Sequence, residues 1–427
     1  MTHGTRDDKE ERKKGGTAID REISKMIVSE QTGGKEKMDF SKLTKYLDDL
    51  EKDYGVPGYD LIVKKDHETI FRRMGGFSDY HRSVPVAESD LYIMYSATKV
   101  ITMTAAMQLI EQGKIGLDDP VTKYLPEFAK MEVADHCKLN QWPPQIPTLA
   151  DPHHPAKTPI TIRMLMTMTA GLNYDTGGAP ILALKKATGN QATTREMMTA
   201  IAEMPLLFEP GTHYSYSFGH DVIAAVIEVV TGQTYGKYLE EHLFSPLGIR
   251  DAYFHPDETL QKRLTAQYMV DAESGEIRPV DQTNIYCLSD RYDSGGAGLV
   301  CTAEAYSTVL DALACGGEGK DGARILSTES LARMAENQLT PGMLSEYQVP
   351  WRMEYGYGLG VRTLIHPEDS PTPQGEFGWD SAGGAYTLAD PVNHISILYA
   401  QEILNMIRSY SEIHPTLRNL VYDALNR

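Results

Sequence analysis

One segment constrains the fold more than any other. Between Ser96 and Gly113, Val100, Ile101, Met103, Ala105, Met107, Leu109 and Ile110 recur at helical spacing and leave that helix apolar on much of its surface. A helix without a continuous polar face needs apolar neighbours all round, so it is expected in the middle of a domain. The chain has the means to cover it. Its 427 residues are 41% hydrophobic and 23% charged, a composition that offsets the entropy of ordering.

The flanks of this helix read as sheet. Phe40, Leu43, Tyr46, Leu47 and Leu50 mark an amphipathic helix, and after Pro57-Gly58 comes the apolar run Tyr59 to Val63. A polar stretch, Lys64 to Glu68, then Ile70-Phe71 complete a strand–turn–strand pattern, which predicts an antiparallel hairpin. Far along the chain, Ile395 to Ala400 predicts a further strand and Pro415 to Asn426 a closing helix. Helices are expected between them at Ile162 to Met168, Arg195 to Met204 and His220 to Thr231. This order predicts an α/β (α+β) fold, an antiparallel sheet flanked by terminal helices with a mostly helical region inserted between its strands. Residues 39–115 and 295–427 would form the sheet-bearing lobe of one domain and 116–294 the helical lobe. Residues 1–38 read as a polar tail with one short helix, Ile19 to Val28. Between Phe128 and Ile160, six prolines (143, 144, 147, 152, 155 and 159) exclude continuous regular structure. Long loops of this kind often cover sites, so this one is expected to shape a pocket wall.

Charge narrows the partners. Against 59 acidic residues stand 41 Lys and Arg, a net charge of −18, which argues against nucleic acid and anionic membrane. No apolar run follows the mixed charges of Arg6 to Lys14, and no stretch of about 18 apolar residues occurs, so a cytoplasmic location is expected. The four cysteines (Cys137, Cys287, Cys301, Cys315) are scattered and lack C-x-x-C spacing; they are expected to be small buried hydrophobes. His153-His154 lacks further ligands at useful spacing, and Gly295-Gly296-Ala297-Gly298 lacks the lysine of a phosphate loop.

Three short segments can carry chemistry. In Ser96-Ala97-Thr98-Lys99 the serine and lysine share a helix face at i and i+3. A serine hydroxyl needs a base nearby, and a lysine serves only if burial lowers its pKa, which the apolar helix provides. The same tetrapeptide also fits a helix-capping serine beside an unrelated lysine. Pro210-Gly211-Thr212-His213-Tyr214-Ser215-Tyr216-Ser217 makes a tight turn that presents a tyrosine just before a helix; a tyrosine there can relay a proton or simply pack. Phe377-Gly378-Trp379-Asp380-Ser381-Ala382-Gly383-Gly384 brings glycines beside a strand, where a backbone N–H can approach a substrate, although a hairpin with a packed tryptophan reads the same way.

Taken in order, these segments resemble the serine β-lactamase and penicillin-binding-protein-like family, in particular its class C-like esterase branch. The likeness runs from about Val56 to about Ala400. It includes Ser96 to Phe128 (SATKVITMTAAMQLIEQGKIGLDDPVTKYLPEF), Ile160 to Leu172 (ITIRMLMTMTAGL), Phe244 to Ile249 (FSPLGI) and Gly295 to Thr302 (GGAGLVCT). The resemblance implies Ser96 as acylated nucleophile, Lys99 as its proton acceptor and Tyr216 as the second-motif tyrosine, with Tyr214 a worse fit. Oxyanion donors would be the amides of Ser96 and Ala382. Trp379-Asp380-Ser381 stands where lactamases carry Lys-Thr-Gly, and Phe218 where an asparagine is usual. Both changes make the pocket more apolar and less suited to penicillins. Ser381 replaces an expected glycine at the oxyanion edge.

The implied activity is hydrolysis of small-molecule carboxylic esters through an acyl-enzyme, without metal or organic cofactor. Hydrolysis of a β-lactam or D-amino-acid amide and acyl transfer to an alcohol are alternatives within the family. A catalytically silent ligand-binding homologue is the alternative outside it.

Overall fold

The two ends of the chain build one sheet. The computed structural model describes residues 38–139 and 145–425, so the expected helix at 19–28, Pro143-Pro144 and Asn426 lie outside the described residues. Helix α1 (Ser41–Tyr54) leads into strands β1 (Gly58–Lys65) and β2 (Glu68–Gly76), joined by a turn in which Asp66 and His67 take φ of 49° and 68°. Strand β3 (Tyr92–Ile93) precedes the apolar helix α2 (Thr98–Glu111), and α3 (Gly219–Thr231) packs against α2. Strand β4 (Val300–Cys301) and helix α4 (Ala303–Ala314) follow. The chain then returns through β5 (Tyr355–Tyr357), β6 (Arg362–Leu364), β7 (Phe377–Gly378), β8 (Tyr386–Asp390) and β9 (Ile395–Ala400) to α5 (His414–Ala424). The seven-stranded sheet runs β5-β6-β7-β8-β9-β1-β2, antiparallel throughout.

Strands 330 residues apart pair because both are apolar on both faces. Register runs from Asp60 opposite Ala400 to Lys65 opposite Ile395. Alternation then sorts the side chains. Leu61, Val63, Ile397 and Tyr399 pack with Leu43, Leu47 and Leu50 of α1 and with Leu417 and Val421 of α5. Ile62 and Leu398 point the other way, into the larger core that holds α2, α3 and Val309, Leu310 and Leu313 of α4. Each such side chain stabilises the fold by roughly 1.5–3 kcal/mol. The architecture is thus the predicted mixed one, an antiparallel sheet with terminal helices on one face.

Several local expectations change. Ser96 does not lie in the first turn of α2 but in a 3-10 turn (Tyr95–Ala97) that precedes it. The proline-rich stretch contains a short ladder, Glu132–Ala134 against His153–Pro155, with Pro155 tolerated at the end of its three-residue strand, opposite Glu132. Val133 of this ladder bridges to Leu206, and His154 contacts Glu209, so the stretch braces the segment leading to Tyr216. Only Cys301 is fully buried; Cys137, Cys287 and Cys315 are partly exposed, which corrects their reading as core residues. Helix α4 and the helices Ala179–Ala187, Thr328–Ala335 and Pro341–Tyr347 lie where no helix was anticipated. Among the described residues no helix is long and apolar enough to cross a membrane.

Candidate active site

Strand pairing of β3 with β4 holds the approach to Ser96, and the Met94 N–H donates to Leu299 O at 2.9 Å. Tyr95 then turns the chain with φ of 41°, in the left-handed region that non-glycine residues seldom enter. Strain at that point lifts Ser96 out of the helix, and it is supported by a buried Tyr95 ring and a hydrogen bond from the Gln267 side chain to its hydroxyl. Tyr216 comes from the segment before α3, where Gly211 (φ 85°) makes the turn. Its hydroxyl donates to Ser96 Oγ at 2.8 Å. Burial pushes the Tyr216 phenol well above its ordinary range, so it stays an O–H donor at neutral pH.

Lys99 is completely buried. Its Nζ donates to Gly296 O at 2.7 Å and lies 4.5 Å from the centre of the Tyr216 ring and 5.4 Å from that of Tyr174. Burial pulls its pKa down to about 7, against the attraction of Asp221. No carboxylate lies within ion-pair distance of it among the described residues. Asp221, also buried, accepts instead from Ser294 Oγ at 2.7 Å and from Gly296 N–H at 3.2 Å. Gly296 is therefore gripped at both ends of its peptide, by Asp221 and by Lys99. The structure contains no Lys99–Ser96 hydrogen bond; the amine meets the serine's partner, Tyr216, across its ring face.

The third segment completes the wall. Trp379 stacks on Tyr216 with ring centres 5.9 Å apart and planes at 7°, and Tyr357 meets its edge at 5.3 Å. Phe218 is buried against Tyr174 at 4.7 Å. The Ser381–Ala385 turn is closed by Ser381 N–H to Ala385 O at 2.9 Å and Gly384 N–H to Ser381 O at 2.9 Å. Ser381 Oγ accepts from Gly383 N–H at 3.1 Å, so the side chain that replaces the expected glycine secures the turn. A Cβ at Gly383 would stand 3.2 Å from the Tyr95 ring and 2.9 Å from Glu402 Oε2, which sets this turn directly beside the residue preceding Ser96. Among the described residues, neither the Ser96 nor the Ala382 N–H takes part in the backbone hydrogen bonds of turns, loops and caps.

Ser96, Lys99, Tyr216, Phe218, Trp379, Ser381 and Ala382 are thus gathered by contacts among themselves or with shared neighbours. Tyr214 lies apart from the serine, packed edge-on to Tyr347 and Tyr357. The sequence reading missed Asp221, Tyr174, Gly296, Glu402 and Arg362. An aspartate in the first turn of a mainly apolar helix was the available signal for Asp221, Gly296 lay in the GGAGLVCT segment without a role assigned to it, and the others carry none. A cavity of about 1120 Å³ lined by Glu228, Tyr253, Phe254 and Asp293, among others, contains none of the seven residues. His154 binds Asp135 and Glu209 through opposite ring nitrogens, which does not make a converging metal site.

The family model described as Beta-lactamase matches residues 43–409. Esterase EstB of Burkholderia gladioli is 27% identical over 382 residues, covering 84% of this chain and 89% of its own. Acyltransferase calJ of Penicillium decumbens is 29% identical over 355 residues, covering 78% and 80%. The solved structure of EstCE1, described as a hydrolase with promiscuous acyltransferase activity, superposes with a TM-score of 0.71 at 26% identity over 90% of this chain and 98% of its own. With a family match spanning most of its length, on the fold and around the residues described above, this chain belongs to the beta-lactamase family.

Proposed function

We propose that the protein is a serine esterase that cleaves small-molecule carboxylic esters through an acyl-enzyme on Ser96. The observation that carries this reading is the 2.8 Å hydrogen bond from Tyr216 to Ser96 Oγ beside a fully buried Lys99. With a pKa near 7, much of Lys99 is a neutral amine at physiological pH and can accept the Ser96 proton, whereas Tyr216 remains protonated. Lys99 takes up the Ser96 proton on attack and returns it through the Tyr216 hydroxyl to the departing alkoxide as the ester C–O bond breaks. Water then enters and gives a proton to Lys99, which is handed back to Ser96 Oγ as the acyl–oxygen bond breaks and the acid leaves. The N–H groups of Ser96 and Ala382 are the oxyanion donors in both steps.

The aromatic wall sets the substrate class. Trp379, Tyr216, Tyr174 and Phe218 form a mainly aromatic wall, and Trp379 stands where lactamases carry a lysine, which favours neutral esters over penicillins, although the Arg352 guanidinium lies 6.0 Å from the Trp379 ring. Similarity to an acyltransferase and to a hydrolase with acyltransferase activity supports a second outcome, transfer of the acyl group to a small alcohol.

The test is hydrolysis of a short-chain p-nitrophenyl ester by wild type and Ser96→Ala, with and without an added alcohol. Activity that falls at least ~10³-fold in the variant supports the reading, and a new ester in the presence of alcohol adds transferase activity. Equal rates, or none in either protein, would leave a ligand-binding homologue as the better reading.

A further inference from the structure

A second cluster of reactive side chains lies at the tip of the β1–β2 hairpin. Asp311 and Cys315 stand at i and i+4 at the end of α4, on one helix face. His67, 244 residues earlier, reaches them from the hairpin turn, with Nδ1 2.8 Å from Asp311 Oδ2. Cys315 Sγ is 3.9 Å from Asp311 Oδ1, and one donor atom from each residue falls within 4.8 Å of the other two. The Asp311 carboxylate is 6% exposed and, among the described residues, has no lysine or arginine at ion-pair distance; His67 and Cys315 are its partners.

Their surroundings favour a cation. A cavity of about 360 Å³ opens on His67 and Asp311 and is lined by four carboxylates (Glu68, Glu304, Asp311, Asp321) and two lysines. Both lysines are matched, Lys64 to Glu304 at 2.6 Å and Lys320 to Glu68 at 2.9 Å. Asp311 and Asp321 are left as uncompensated negative charge. His67 also occupies a left-handed turn position (φ 68°) where glycine or asparagine is the usual choice, so the side chain is retained against a backbone preference.

We propose that His67, Asp311 and Cys315 form a zinc site, with water from the cavity as fourth ligand, that clasps the hairpin to the end of α4. Imidazole, carboxylate and thiolate are the ligand types zinc takes; a tetrahedral set spaces its donor atoms by roughly 3.3–3.5 Å, and the separations of 2.8 and 3.9 Å found here bracket that spacing. One carboxylate and one thiolate neutralise the dication. Binding replaces the Cys315 thiol proton, which is released to solvent. C-x-x-C logic could not find this site, because one ligand is distant in sequence.

The experiment is metal loading of the full chain. Protein stripped with chelator and dialysed is equilibrated with zinc alone, and bound metal is counted for wild type, Cys315→Ser and His67→Asn. Cobalt(II) in place of zinc reports the thiolate through its sulfur-to-metal charge-transfer band. One zinc per chain, a cobalt–thiolate band lost in Cys315→Ser, and affinity at least ~10-fold weaker in both variants are expected, since even outer partners of metal ligands cost that much. Ser96-dependent ester hydrolysis should stay at the wild-type level in Cys315→Ser, which separates this site from the esterase reading. Less than one zinc in wild type, a cobalt spectrum without the band, or equal retention by both variants would overturn the proposal. If Cys315→Ser fails to fold, His67→Asn decides it alone.

Discussion

Two buried charge systems sit on either side of Trp379, and they are built on opposite rules. Behind it, Arg362, only 3% exposed, bonds Asp380 at 2.6 Å, Glu376 at 3.4 Å and Thr387 O at 3.2 Å. Tyr355 donates to Glu376 at 3.1 Å and Arg418 to Tyr355 at 2.7 Å, so each buried charge there has an opposite charge or a dipole. Burial alone would raise Asp380, but the Arg362 guanidinium and His414 outweigh it and hold the carboxyl well below its usual range. In front of Trp379, Lys99 has one carbonyl partner and no carboxylate in reach. Where pairing outweighs burial, as at Asp380, a buried group keeps its charge and fixes geometry; where burial wins, it raises the Glu376 carboxyl and lowers the Lys99 amine toward neutral pH. The first system fixes Asp380 within the Trp379–Ala382 segment, and the second leaves the Lys99 amine beside Tyr216.

Replacing each cation with an apolar residue should separate the two. Lys99→Met should lose at least ~10³-fold in kcat/KM for the p-nitrophenyl ester, yet gain about 1–2 kcal/mol of stability at pH 7. Arg362→Met should do the reverse in stability, losing about 3–5 kcal/mol by stranding Asp380 and Glu376, as read by chemical denaturation. Equal stability changes in the two variants would dissolve the comparison.

Tyr216→Phe removes a proton donor without disturbing the stack on Trp379. A fall of ~10²-fold or more in kcat with little change in KM is expected from steady-state kinetics.

The pH dependence sharpens the account of Lys99. Activity should rise with pH through about 7 as the amine loses its proton, falling about tenfold per unit below that. The stability gap has its own signature. Folded Lys99 titrates near 7 and unfolded lysine near 10.5, so between these values the unfolded chain binds the additional proton and wild-type stability climbs with pH. The advantage of Lys99→Met should therefore be widest at pH 7 and below and close toward pH 10.5. A pH-independent gap in paired melts would contradict an unpaired amine.

The smallest effect is expected at Glu402. It accepts from Ile93 N–H at 2.6 Å, and burial raises its carboxyl to about 8, so it is mainly neutral at pH 7. Glu402→Gln keeps that neutral form, and kcat should stay within about threefold of wild type. Between pH about 4.5 and 8 the folded chain retains a proton that the unfolded chain has lost, so wild-type stability falls across that window. The glutamine variant should lack that fall.

Local pattern made much of this legible. The apolar run of α2, the β1–β2 hairpin and the strand Ile395–Ala400 follow from spacing and turn residues, and Ser96, Lys99 and Tyr216 sit in short motifs whose chemistry depends on residue type. Their convergence was inferred from a likeness to a family, because spacing cannot bring residue 216 to residue 96. Tertiary structure alone decided what surrounds them. Asp221 and Gly296 meet across 75 residues, and Lys99 bonds a carbonyl 197 residues away. The 3-10 turn at Ser96 depends on a φ at Tyr95 that no propensity favours and that the packing of β3, Gln267 and Glu402 imposes. Sequence alone determined which side chains were available and which segments had to be buried. Packing at long range determined which of their charges found partners, and so where a buried lysine can shed its proton near neutral pH and where a buried arginine stays charged.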